Sequence, residues 1–196
     1  MGVREERRAA AREGILAAAH RQLAEGGLAS ASMTTVAARA GVATGSLYRH
    51  FPSRDELLAA VVGDALRGEQ ALLERAVEGA RSPSAGLEAW VRTALERAFQ
   101  APHLHRALFH EPAGPPVEVV REEAAQMRAV ALAGLLADGA TEGAWPAGPM
   151  ALQATAMLGA LNATTAGGPG SDGDSAGRVA AELVTFLRTG LDDRAG

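Results

Sequence analysis

The chain has no cysteine and no lysine among its 196 residues. Without a thiol, disulfide frameworks, thiolate metal centres, cysteine nucleophiles and thiol redox sensing are excluded, and the composition fits a reducing cytosol. Arginine supplies all 19 basic residues, which beside heavy use of alanine and glycine reads as genome base composition more than as chemistry. Long apolar runs are missing too. The first thirty residues carry Arg4, Glu5, Glu6, Arg7, Arg8, Arg12 and Glu13 where a signal peptide would have a continuous apolar core. The most apolar later stretch, residues 150–163, is interrupted by Gln153, Thr155 and Asn162 and is too short to span a bilayer. A soluble, cytoplasmic protein with no membrane partner is expected. There is no Gly-x-Ser-x-Gly elbow, no glycine loop followed by lysine, no His-Glu-x-x-His and no convincing carboxylate pair, so the chain is not read as an enzyme and no cofactor is expected.

The charge that is present is unevenly placed. The net charge of −4 hides eight Arg against four acidic residues in 1–54 and eleven against nineteen in the rest, a balance of +4 against −8. An anion-binding head on an acidic body is one reading, and an ordinary uneven surface is the other. The segment from Ser32 to Leu58, SMTTVAARAGVATGSLYRHFPSRDELL, favours the first. It reads as two short helices broken at Ala40-Gly41-Val42 and closed by Phe51-Pro52, the layout of a DNA-binding helix-turn-helix.

Helical spacing runs through the rest. Ile15, Leu16, Ala19 and Leu23 mark a helix from about Glu5 to Glu25, ended by left-handed residues at Gly26-Gly27. Ser32 can cap a second helix that buries Val36, Ala37 and Ala40; Gly41 permits the turn, and Val42 points inward. A third helix covers about Thr44 to His50, with Leu47 and Phe51 inside. Ser53-Arg54-Asp55-Glu56 is a capping box opening a long helix to about Ala80, with Leu57, Leu58, Val61, Val62, Ala65 and Leu66 buried. Ser82-Pro83 starts the next, with a stripe of Leu87, Val91, Ala94, Leu95 and Ala98. Further helices are expected at about 103–110, at 117–138 with Met127, Val130, Ala131, Gly134 and Leu135 on one face, at 149–165 and at 175–191, the last two joined by a glycine-rich connector, 167–174. With no period-two strand pattern and no internal repeat, the fold class is all-α with about nine helices. They divide into a three-helix DNA-binding domain over 1–54 and a helical body over 55–196.

Residues 12–62 resemble the N-terminal domain of TetR-family transcriptional regulators. The resemblance rests on Ile15-Leu16, Ala18-Ala19, Glu25-x-Gly27, Val36-Ala37, Ala40-Gly41-Val42, Gly45-Ser46-Leu47-Tyr48, His50-Phe51 and Ser53-Arg54-Asp55-Glu56-Leu57. It implies DNA contacts at Ser32, Thr34, Thr44, Gly45, Ser46, Tyr48, Arg49, His50 and Arg54. The residue chemistry agrees. Thr44-Gly45-Ser46 gives the recognition helix a narrow polar start, Tyr48 offers a ring to sugar or a thymine methyl, and Arg49 and His50 can meet phosphate. Ser32 and Thr34 stand at a helix start suited to phosphate. The other reading of each taken alone is structural: Tyr48 a half-buried strut, His50 a surface residue, Ser32 only a cap. Three positions depart from the family's pattern. Ala43 stands where many members have a capping Ser or Thr, which moves the expected cap to Thr44; Arg54 replaces the commoner Lys; and Thr34 is short, so that its reach ends at phosphate.

For the body the resemblance implies a ligand-binding and dimerisation domain. One head reads few base pairs, so the expected partner is a double-stranded operator with an inverted repeat, bound by a homodimer. The dimer is expected through helices 150–165, with Met157, Leu158 and Leu161 beside Ala154, Gly159 and Ala160, and 175–191, with Val179, Leu183, Phe186 and Leu187; the alternative is that both complete a monomer core. The candidate pocket for a small-molecule effector is Trp90, Phe99, His103, Phe109, His110, Met127, Trp145 and Met157, residues that plain core packing would also explain. No metal is expected at His103, His105, His110 and Glu111, because His103 and His105 at i, i+2 face different sides of a helix. The functional expectation is a dimeric repressor released from DNA by its effector, with an activator or an effector-independent DNA-binding protein as alternatives.

Overall fold

The computed structural model describes residues 2–166 together with 181, 182 and 185. Eight helices follow in order: α1 (Val3–Ser30), α2 (Met33–Ala40), α3 (Thr44–His50), α4 (Arg54–Glu78), α5 (Pro83–Gln100), α6 (Pro102–Phe109), α7 (Pro115–Thr141) and α8 (Met150–Ala166). No strand occurs among the described residues, and the fold is all-α. The expected ninth helix at 175–191, with Val179, Leu183, Phe186 and Leu187, and the connector 167–174 lie outside the described residues, except that Ala181, Glu182 and Thr185 are helical. The described residues form two compact units, one of 2–67 and 103–123, the other built on 68–102 and 124–166.

In the first unit the helix boundaries follow local chemistry. α1 is broken at Gly26 and Gly27, where Gly27 has φ +69°, a conformation that a side chain would strain. The helical assignment resumes to Ser30 before the chain turns into α2. Ser32 caps α2: its Oγ accepts the Thr35 N–H at 3.1 Å, and its own N–H donates to Thr35 Oγ1 at 3.0 Å, a capping box with threonine in the place of the usual acid. Gly41, at φ +68°, closes α2 as expected. The expected shift of the α3 cap to Thr44 does not occur. Ala43 is the cap residue, already extended, and its carbonyl accepts from Ser46 and Leu47 at 2.8 and 3.1 Å, so α3 starts at Thr44 without a side-chain cap. Ser53 Oγ accepts the Glu56 N–H at 3.1 Å at the start of α4.

Helix α1 packs on α2, and α2 on α3. Ile15, Ala19 and Leu23 of α1, Met33, Val36 and Ala37 of α2, Leu47 of α3, and Leu57, Leu58, Val61 and Val62 of α4 are buried, as the spacing predicts for all but Met33. Ala40 and Val42 are half-buried, at the rim of this core and not in it. Leu104, Ala107 and Leu108 of α6 and Val117 of α7 are also buried.

The second unit is built on apolar mass. Leu73 of α4, Leu87, Trp90, Val91 and Leu95 of α5, Leu132 and Leu136 of α7, Trp145 from the turn after it, and Ala154, Met157 and Leu161 of α8 form one cluster. Trp145 donates its indole N–H to the Leu136 carbonyl at 2.8 Å, and Gly139 has no side chain because a methyl there would lie inside the Trp145 ring. Ser82 caps α5 by accepting the Ala85 N–H, with Pro83 in the first turn. The expected face of α7 is not the buried one: Leu132 and Leu136 are buried, while Met127 and Val130 are 57% and 73% exposed. Residues 129–136, AVALAGLL, are apolar right round the helix, so a 3.6 period cannot select a side there.

Candidate nucleic-acid interface

The recognition face of α3 follows from its spacing. Leu47 and Phe51 are four apart and buried, which turns Gly45, Tyr48 and Arg49, at i, i+3 and i+4, to the opposite side. Gly45 and Arg49 are exposed, Tyr48 is 49% exposed, and Thr44, Ser46 and His50 are half-buried at the margins. About half of the Tyr48 surface is covered, as in a half-buried strut, and half is open to contact. A tyrosine combines a ring that can meet a sugar or thymine methyl with a hydroxyl that can meet a phosphate. Beneath this surface the Arg12 guanidinium lies 4.4 Å over the ring of Phe51, a cation–π contact that braces the end of α3 against α1.

The other expected contacts divide by what they already hold. Thr34 is exposed on the first turn of α2. The Ser32 hydroxyl serves the α2 cap, as the structural reading of that residue anticipates. Arg54 turns back on the end of α1, donating Nε to the Ala31 carbonyl at 2.9 Å and Nη2 to the Leu28 carbonyl at 2.5 Å. Its guanidinium therefore stands beside the turn that Ser32 caps. Arg39, the remaining cation of α2, is paired with Glu25 of α1 through two bonds of 2.7 and 2.6 Å. Those bonds hold the Glu25 carboxyl below its usual range and raise the Arg39 guanidinium above its own.

The eight candidate pocket residues fall in both units. Trp90, Trp145 and Met157 are buried in the cluster of the second unit, with Phe99 packed against it, whereas Met127 of that unit is exposed. Phe109 and His110 belong to the first unit, where the His105 ring lies 4.7 Å from Phe109 and 5.4 Å from His110. Burial, then the neighbouring Arg121 and Arg106, hold the His110 imidazole below its ordinary pKa. His103 is exposed and lines a cleft of about 720 Å³ with Leu28, Arg54, Arg106 and Glu111, all of the first unit. In the second unit Glu69 grips Arg97 in a fork at 2.7 and 3.2 Å, which raises the Arg97 guanidinium, and burial lowers the nearby Arg128 guanidinium against the pull of Glu69.

Glu111 is the residue that sequence spacing missed. Its carboxylate accepts the Leu28 N–H at 2.7 Å, next to the break in α1, and Arg106 stands 3.6 Å away. The bond joins residues 83 apart, and nothing around Glu111 announces a helix end elsewhere in the chain.

Comparison with known proteins adds a family to this geometry. Residues 15–61 match the family model described as bacterial regulatory proteins, tetR family. The whole chain shares its fold with solved regulators. The transcriptional regulator FadR from Bacillus subtilis, in complex with stearoyl-CoA, superposes with a TM-score of 0.76 at 17% identity over 91% of this chain and 98% of that one. A TetR/AcrR-family regulator from Thermobifida fusca gives 0.72 at 20% over 91% and 97%, and the ketosteroid regulator KstR2 of Mycobacterium tuberculosis 0.63 at 21% over 92% and 94%. At those identities the likeness is one of fold, and the family match is confined to residues 15–61. With Tyr48 and Arg49 exposed on its third helix, the head of this chain is similar, over residues 15–61, to the bacterial regulatory proteins of the tetR family.

Proposed function

We propose that this protein is a sequence-specific DNA-binding transcriptional regulator that acts as a homodimeric repressor and leaves its operator when a small-molecule effector binds. The carrying observation is the recognition helix, whose Gly45, Tyr48 and Arg49 are turned outward by the burial of Leu47 and Phe51. Thr34, Thr44, Ser46 and His50 extend that surface, and Ser32 and Arg54 border it. Residues 1–54 serve as the DNA-binding domain and 55–196 as the effector and dimer domain. The exposed Leu152 on α8 and the small Gly159 and Ala163 beside it support close approach of a second copy. That the similarly folded FadR was solved with stearoyl-CoA supports an effector role for the body, with Trp90, Phe99, His103, Phe109, His110, Met127, Trp145 and Met157 as candidate contacts. The protein works in the cytoplasm, where its DNA is, and is not an enzyme. No described helix is long and apolar enough to cross a membrane.

In this mechanism two recognition helices engage half-sites about 34–36 Å apart, or at a related spacing. An effector that binds better when the heads are not so spaced weakens operator binding, and by linkage the operator weakens effector binding equally. Leu57, Val61, Ala65 and Leu66 of α4 serve as the relay between the DNA-binding and effector domains in this reading, and a relay requires that reciprocity. Selection of bound fragments from random-sequence DNA at near-physiological salt tests the proposal. An inverted repeat is the expected product, and Arg49→Ala should then lower the salt slope of its binding by about two, one phosphate contact from each protomer. No enrichment by the folded protein would reject DNA-sequence recognition.

A further inference from the structure

The turn that leads into the helix-turn-helix is held by residues well outside it. The Leu28 peptide is gripped on both sides: its N–H by the Glu111 carboxylate at 2.7 Å, and its carbonyl by Arg54 Nη2 at 2.5 Å. Arg54 also takes the Ala31 carbonyl at 2.9 Å. From there the chain passes directly to the Ser32 cap, and Thr35 of α2 donates its hydroxyl back to the Ser30 carbonyl at 3.1 Å. The placement of residues 28–31 therefore sets where α2 begins, and α3 is packed on α2.

Glu111 is itself fixed. Arg121 of α7 donates to the Glu111 carbonyl at 2.8 Å and to the Ala107 carbonyl at 2.6 Å, and pairs with Glu118 at 2.7 Å. The carboxylate fills the space that a side chain at Gly27 would occupy. Ending α1 does not require this bond, because Gly27 at φ +69° already stops a helix, and water could satisfy the Leu28 N–H. A carboxylate brought from 83 residues away adds position where termination is already provided, and a charge-assisted bond is stronger than a neutral one.

We infer that Glu111 is a positioning residue for DNA recognition: its carboxylate, anchored by Arg121 and seated at Gly27, fixes the Leu28 peptide and so the pose of α2 and α3 on the operator. This rests on the DNA-binding function proposed above. Glu111 touches no DNA in this role. It contributes to specific binding, which needs the correct pose, and not to the general attraction of phosphate for the head.

Glu111→Ala and Glu111→Gln test the assignment together, because they remove the same charge and only glutamine keeps an oxygen for the Leu28 N–H. Operator affinity is measured beside affinity for non-operator DNA at the same salt, with amide exchange at Leu28 followed in each protein. Glu111→Ala should bind the operator about tenfold more weakly, because the released turn must be ordered when the operator binds. It should bind non-operator DNA no more weakly than the native chain and lose protection at Leu28. Glu111→Gln should restore operator affinity to within about threefold and recover the protection. Equal operator affinity in both variants, or a parallel loss on both DNAs, would overturn the assignment. If Glu111→Ala does not fold, Glu111→Asp, one methylene short of Leu28, takes its place against Glu111→Gln. A native protein that selects no sequence would reject the DNA function itself, an outcome visible before any variant is made.

Discussion

Both units have an apolar core, but the first adds many more directional ties between distant residues than the second. In the unit that carries α3, charged side chains travel far along the sequence to meet backbone groups or each other: Glu111 to Leu28, Arg54 to Leu28 and Ala31, Arg121 to Ala107 and Glu111, Arg39 to Glu25. In the unit of 68–102 and 124–166, one such pair, Arg97 with Glu69, stands beside a buried cluster of two tryptophans among aliphatic side chains, whose indole bond runs only nine residues, from Trp145 to Leu136. Directional bonds define an angle and a distance, as a surface that must match a rigid double helix requires. Apolar packing defines volume, which many sequences satisfy, and solved structures at 17–21% identity share the fold.

The contrast can be broken from the apolar side first. Trp145→Ala should destabilise the protein by about 3–5 kcal/mol in thermal or denaturant unfolding, through the cavity left among Leu136, Met157 and their neighbours. Next comes the glycine that admits a polar tie. Gly27→Ala places a side chain at φ +69° and into the Glu111 carboxylate, and should cost about 2–4 kcal/mol in the same assay. If the alanine were neutral, the Glu111 contact would not constrain the turn.

A smaller effect is expected from pH. Because the folded His110 imidazole titrates below the ordinary 6.5, the unfolded chain takes up a proton that the folded chain resists as pH falls below that value. Stability should therefore drop from pH 6.5 downward until the pH passes the folded pKa, and His110→Phe should flatten that part of the curve; an identical curve in the variant would remove His110 as its source. The smallest effect belongs to Arg39→Ala. Its pair with Glu25 is well formed but solvated, and screening should leave the melting temperature unchanged within error.

How far the sequence could be read follows the same division. Ser32, Gly41, Ser53, Ser82 and Pro83 act within four residues of the groups they serve, so their roles were visible in the chain, and the α4 stripe from Leu57 to Leu66 was visible because polar residues bound it. The outward face of α3 was legible for the same reason. Glu111 was not, because its partner is 83 residues distant and fixed by packing. Arg54 was read as reaching for phosphate, while the structure turns it to two carbonyls, an alternative that charge alone does not reveal. Along α7 there was no polar side to mark Leu132 and Leu136 as the buried pair.

The distribution of aromatic residues gives the molecule two optical reporters. Both tryptophans, Trp90 and Trp145, are buried in the second unit, and the single tyrosine, Tyr48, stands exposed on the recognition helix. Tryptophan emission excited at its red edge consequently samples only the body, whereas Tyr48 is the only phenol available to be quenched by stacked bases or labelled for nuclear resonance. On the proposed function, effector arrival and operator contact would each be followed in one unmodified sample by its own chromophore.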